Sequence, residues 1–486
     1  MARDMVRAKS TVRFVESYRV MSIIKSAGNV RTVLRSGLLV IGIAFSCVPA
    51  NAETINGALA AAYNNNPTLN AQRAATRAAD ENIAIAKSGY RPTITANANI
   101  GLSQSTNTLA LSGVSSTTDL VPRGFGVVVN QTLWDSYLTQ NNVEAALAAV
   151  RASQEALRNA EQNILFNGAS AYLDVMRDRA ILGFQSRNLE FLQEQVRSEQ
   201  ARFDVGEATK TDVAQARASR AAAQAQVSLA AANLKSSEAV YRQIIGNRPG
   251  KLSDVKGVAP FLPKSAKSGI SIALAEHPAI KSTEHIVDQA LFNVKAAESG
   301  LLPRVDLQGA ANRNYDVSGN VDRSDSASIT ATLSVPIYQA GRQAATVRQS
   351  KETLSQRRIE VDESVDNVRA AVVSAYSQFL GARAAIEANR AQLSAAKLAL
   401  QGAVEERKVG QRTTLDVLDT QTQVINAQIA LSNSSRDLKV AGYAILSAIG
   451  RLNAKTLRLQ VAHYDPLDHK KAVEDKWFGL RIPSGN

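Results

Sequence analysis

Two short stretches concentrate the charged and hydroxyl side chains whose spacing carries chemical meaning. Residues 408–421 read KVGQRTTLDVLDTQ, and residues 204–215 read DVGEATKTDVAQ. In each, Val-Gly is followed by Thr, and then by Asp three residues later. Glycine after a long helical run suits the left-handed residue that ends a helix. Thr-x-x-Asp is a capping box, with Asp in place of the usual Glu or Gln, and starts the next helix. The stretch therefore reads as the tip of a helical hairpin, used twice. The second copy carries extra charge, Arg412 and Asp419, where the first has Gln215 opposite Asp419. Asp416 and Asp419 are three apart, which puts both carboxylates on one helical face.

Catalytic chemistry finds no comparable support. His277, His285, His463 and His469 lie far apart and form no metal motif, and no glycine-rich phosphate loop is present. His277 precedes Pro278 and reads as a helix-boundary residue. Neither an enzyme nor a bound cofactor or metal is expected, and any energy must come from a partner.

The elements that position these tips emerge from a search for repeats. Ala86-Lys87-Ser88-Gly89 and Pro92 match Ala297-Glu298-Ser299-Gly300 and Pro303 at an offset of 211. Leu133-Trp134, Val205-Gly206 and Gly246 match Ile337-Tyr338, Val409-Gly410 and Gly450 at an offset of 204. The shift falls in the Ser/Thr/Asn-rich stretch 103–119, which reads as a loop longer in the first half. Each half runs in one order: a helix (about 55–88 or 270–299), two strands, a very long helix (about 138–203 or 342–408), the tip, and a return helix to Gly246 or Gly450.

Ile94, Ala96, Ala98 and Ile100 alternate with polar residues, as do Ala327, Ile329, Ala331 and Leu333. At about 11–13 residues each, the strands approach the 9–11 that cross a bilayer at a tilt. Trp134, Tyr137 and Tyr338 at their ends suit an interfacial aromatic girdle. The helices carry heptads, with Val365, Val372, Phe379, Ile386, Leu393 and Leu400 each seven apart. Small partners such as Ala375 and Ala396 allow close approach. A helix of roughly 66 residues is about 100 Å long, the length of something that crosses a gap.

Composition agrees with long, close-packed helices, because aromatics make up only 5%. The net charge of +13 does not indicate nucleic acid: residues 1–52 contribute +6 of it, and the remaining charges are interspersed. Those first residues read as an export signal, with Arg31 and Arg35, an apolar run at 38–45 and an Ala50-Asn51-Ala52 cleavage site. Met21 is an alternative start. Cys47, the only cysteine, sits in a poor lipobox, so lipidation is disfavoured. The tail from Leu452, including Trp477, reads as a partly disordered periplasmic end.

Four strands cannot close a membrane barrel, so several chains must pool them. At this point the residues resemble those of the TolC family of outer-membrane efflux channels. The likeness runs over nearly all of residues 53–450 and is most specific at VGQRTTLDVLDTQ. The resemblance implies a mainly α fold with a membrane β part. It implies a homotrimer, each chain giving four strands to a twelve-stranded outer-membrane barrel and long helices to a periplasmic coiled-coil α-barrel. The expected division is 1–52 signal peptide, 53–268 first repeat, 269–451 second repeat and 452–486 periplasmic or equatorial tail.

The implied function is a passive exit duct for tripartite multidrug efflux or type I secretion. Its implied partners are a periplasmic adaptor protein, an inner-membrane pump or ABC exporter, and outer-membrane lipid. By position, Asp416 and Asp419 match the family's entrance-lining aspartates and would form stacked acidic rings that favour cations. Arg412 matches the gate arginine, and Thr211 and Asp212 stand where its partners do. Arg407 departs from the tyrosine of better-known members, and a pairing of Arg407 with Asp212 is expected. The tip residues Val205, Gly206, Thr209, Val409, Gly410 and Thr413 resemble the adaptor-contact sites. A trimeric autotransporter adhesin, which also pools four strands per chain, is the alternative, although its strands come together at the C-terminus. A periplasmic coiled-coil adaptor is a weaker rival, since it normally has one hairpin.

Overall fold

The computed structural model describes residues 52–255 and 257–483. The expected export signal, with Met21, Cys47 and the cleavage site up to Asn51, lies outside the described residues. The chain folds as two successive copies of one unit. The first comprises α1 (Ile55–Asn65), α2 (Pro67–Lys87), β1 (Thr93–Ile100), β2 (Ser103–Thr108), β3 (Ser115–Leu120), β4 (Arg123–Trp134), α3 (Leu138–Asp204) and α4 (Lys210–Ile245). The second comprises α5 (Ala266–Glu276), α6 (Pro278–Ser299), β5 (Arg304–Ser318), β6 (Val321–Ser334), α7 (Arg342–Lys408) and α8 (Thr414–Ala448), and a short α9 (Pro466–Val473) follows.

The helix expected before each strand pair is two helices. Asn66 accepts from the N–H groups of Thr68 and Leu69 and caps α2, while Pro67 at its first position cannot continue the ladder of α1. His277 plays the same part for α6, its Nδ1 accepting from the Ala279 N–H at 3.2 Å. The long helices come out close to expectation, at 67 residues each. Heptad positions of α7 and of the return helix α8 turn inward: Val372, Ile386, Val417, Val424 and Ile445 are all buried.

The main sheet is antiparallel in the order β1-β4-β5-β6. Its register separates two chemistries over the rows nearest the helices, beyond which Arg313 paired with Asp325 joins the apolar face. One face carries the rows Ile94–Val129–Gly309–Ile329 and Ala96–Val127–Ala311–Ala327, and the other carries Thr93–Asn130–Gln308–Thr330 and Asn97–Gly126–Asn312–Ser326. Gly126 belongs to that polar row for a steric reason, since a Cβ there would collide with the Asn312 side chain. The expected loop at 103–119 is instead a hairpin of β2 and β3, tied across by Thr106 and Thr117 hydroxyls 2.9 Å apart. Its Ser and Thr alternate too evenly to signal a face, yet β-branched residues still favour extended backbone.

The largest buried cluster gathers around the middle of the long helices, where α1 and the segments after α4 and α8 pack on them. Tyr172 is fully buried, with its hydroxyl 2.7 Å from the Glu53 carbonyl and 2.8 Å from that of Ser253. The same burial pushes the Tyr443 phenol up to about 12. The C-terminal tail, expected to be partly disordered, is docked here. Leu452, Leu457 and Leu459 enter the cluster, and α9 lies along α2 with His469 Nδ1 2.9 Å from Asp80 Oδ2.

Candidate functional site at the hairpin tips

Each long helix ends in the same hydrogen-bond pattern. Gly206 and Gly410 take φ of +81° and +78°, a region open to glycine at little cost. Glu207 N–H donates to the Arg202 carbonyl at 2.8 Å and Gln411 N–H to the Glu406 carbonyl at 2.9 Å, the six-to-one bond of a Schellman cap. The next helices open with reciprocal boxes. Asp212 N–H donates to Thr209 Oγ1 at 3.2 Å while Thr209 N–H donates to Asp212 Oδ2 at 2.9 Å. Thr413 and Asp416 repeat both distances. These bonds stabilise the ionised form and hold both carboxyls below the ordinary aspartate range.

Local sequence thus forces a turn whose outer surface is Val205, Gly206, Thr209, Val409, Gly410 and Thr413, all exposed. Arg412 Nε sits 2.8 Å from Glu406 Oε2 and Nη1 lies 3.9 Å from Asp416 Oδ1. Within the chain, then, Arg412 spans its own tip, and Thr211 and Asp212 are not among its partners. Asp419 projects from the first turns of α8 into solvent.

Arg407 has a different environment. Its side chain is only 12% exposed and pairs with Glu199 of α3, which is 1% exposed, while Nη1 donates to Gln195 Oε1 at 3.0 Å. Within the chain its acidic partner is therefore Glu199 and not Asp212. Further up, Gln421 Nε2 donates to Asn188 Oδ1 at 2.8 Å, and Arg436 Nε to Asp174 Oδ1 at 2.8 Å. A polar seam thus joins the second hairpin to α3. Glu199 was not singled out from the sequence, although a signal existed. Asp178, Gln185, Leu192 and Glu199 are seven apart and all buried, and Arg407 continues the line of Leu393 and Leu400. Heptad positions that change from apolar to charged near the tip mark the seam.

The sequence profile of the outer membrane efflux protein family matches residues 58–247 and 269–451, one segment for each repeat. The outer membrane efflux protein BepC of Brucella suis biovar 1 is 48% identical over 455 residues, covering 93% of this chain and 96% of that protein. The alkaline protease secretion protein AprF of Pseudomonas aeruginosa is 24% identical over 344 residues, covering 69% and 71%. The crystal structure of the Campylobacter jejuni CmeC outer membrane channel superposes with a TM-score of 0.72 at 18% identity, covering 87% of this chain and 89% of that one. These relatives lend the adhesin alternative no support.

Proposed function

The chain belongs to the outer membrane efflux protein family, and from that premise we propose that three copies form a passive exit duct through the outer membrane and periplasm. The observation that carries the reading is the register of the main sheet. It has one face that is apolar over the rows nearest the helices, a polar opposite face and two free edges, and it is joined directly to helices about 100 Å long. An open edge in lipid leaves backbone groups unpaired, so the edges of β1 and β6 call for neighbouring copies. Three chains pooling four strands each make a twelve-stranded barrel, within the even-numbered range of such proteins. The helices hanging from it then form a tube. The repeats at 53–268 and 269–451 each supply one hairpin to that tube.

The duct performs no catalysis. It serves an efflux pump, as with BepC, or a protein secretion system, as with AprF, through an adaptor that meets the six exposed tip residues and an inner-membrane pump or ABC exporter. Asp416 and Asp419 ring the entrance; Arg412 with Thr211 and Asp212 across the neighbouring copy, and Arg407 within its own chain, restrain it. Purified protein in planar bilayers tests the reading, with small conductance steps expected that increase in Arg407→Ala and Arg412→Ala. No conductance at all sinks the duct, and unchanged conductance in both variants sinks the latch. Deleting the gene should sensitise cells to dyes and bile salts or abolish a secreted protein.

A further inference from the structure

The C-terminal tail ends in a segment for which the duct has no use. Beyond α9, the chain follows α2 toward the sheet and carries Trp477, Phe478, Leu480 and Ile482, which are 65%, 88%, 103% and 75% exposed. Four large apolar side chains in six residues stand out in a chain with so few aromatics. Large apolar side chains gain by leaving water, so this surface calls for an apolar neighbour. The tail is held in place by polar contacts. Lys87 Nζ lies 2.6 Å from Asp475 Oδ1, and Arg91 donates to the Lys476 carbonyl at 3.1 Å. The Arg91 guanidinium also sits 4.4 Å from the centre of the Trp477 ring. Lys476 Nζ donates to the Arg481 carbonyl at 2.6 Å, folding the segment into a compact loop.

Where that loop sits identifies its neighbour. Arg91 stands two residues before β1, so the loop lies at the level where the sheet begins. Exposed Tyr90 just before β1, and exposed Trp134 and Tyr137 at the end of β4, flank the same end of the sheet. Aromatic and aliphatic side chains interleaved with Lys476 and Arg481 match the composition of a membrane-interface segment.

We propose that residues 477–482 form an interfacial anchor seated in the periplasmic phospholipid leaflet of the outer membrane, pinning α2 of each copy to the base of the barrel. This rests on the membrane placement of the strands argued above. The two tryptophans of the chain, Trp134 and Trp477, make it testable. Full-length mature protein carrying Trp134→Phe or Trp477→Phe, each leaving a single tryptophan, is placed in nanodiscs of phosphatidylethanolamine and phosphatidylglycerol with ordinary or brominated acyl chains. An interfacial segment lies roughly 5–10 Å into the headgroup boundary, so Trp477 should lose on the order of half its emission to bromine, as should Trp134. Quenching at Trp134 but not at Trp477 overturns the anchor and leaves the membrane barrel standing. Quenching at neither overturns both. Blue-shifted Trp477 emission that ignores bromine means the loop packs on another copy, which also overturns the anchor. With Leu480→Asp and Ile482→Asp combined, quenching at Trp477 should fall while quenching at Trp134 persists; unchanged quenching at Trp477 counts against the proposal.

Discussion

Arg407 and Glu199 divide the work of the tip with Arg412 through burial. An exposed pair such as Arg412–Glu406 is screened by water and adds little, whereas removing one partner of a buried pair costs about 3–5 kcal/mol by stranding the other charge. Arg407→Ala should therefore lower thermal stability and loosen the tip more than Arg412→Ala. The Arg407→Met, Glu199→Leu double variant should recover most of the stability, and paired melting curves decide this. Asp419→Asn removes a carboxylate that no cap occupies, so it should reduce cation preference in reversal-potential measurements while leaving stability unchanged. Asp212 and Asp416 behave differently, because their folded pKa lies below the ordinary aspartate value of 3.8. A depressed carboxylate contributes its full stabilisation above that value and loses it as pH falls through the folded pKa. Hydrogen-exchange protection of the Thr209 and Thr413 amides, corrected for intrinsic rates, should persist to about pH 5 and collapse only in stronger acid.

At the scale of elements, the helices are limited by their ends. Gly410 sits at φ +78° and an alanine there meets left-handed strain of roughly 1–2 kcal/mol, although nothing lies in its way. Gly402 lies inside α7 with ordinary helical geometry and only ordinary van der Waals contact for a new Cβ. Gly402→Ala should stabilise by about 0.5–1 kcal/mol, while Gly410→Ala frays the last turn of α7, and hydrogen exchange across residues 398–416 separates the two. These ends were legible because capping is local: glycine, threonine and aspartate act within four residues of one another. The break at Asn66-Pro67 is as local, and its counterpart at His277-Pro278 reads as a helix boundary from the sequence alone. The β2–β3 hairpin was missed because a strand polar on both faces leaves no alternation to read.

For the whole molecule, the decisive fact is that an isolated chain exposes the apolar face of its sheet and much of α7. Such surfaces call for lipid and for neighbouring copies. The protein extracted in mild detergent should run on an unheated gel as a trimer that collapses to monomer on boiling, and a monomer in both lanes would refute the pooled barrel. By itself the sequence determined the double repeat, the helix lengths, the tips and the family, because these depend on short-range pattern repeated often enough to rise above noise. Only the tertiary structure decided which charges meet. Arg407 could have faced any acid on three neighbouring helices, and its pairing with Glu199 depends on how the second hairpin leans on α3 across 208 residues of chain. The tail was settled the same way. Its contacts with Lys87 and Arg91 bring together positions almost 400 apart, a distance over which local pattern carries no information.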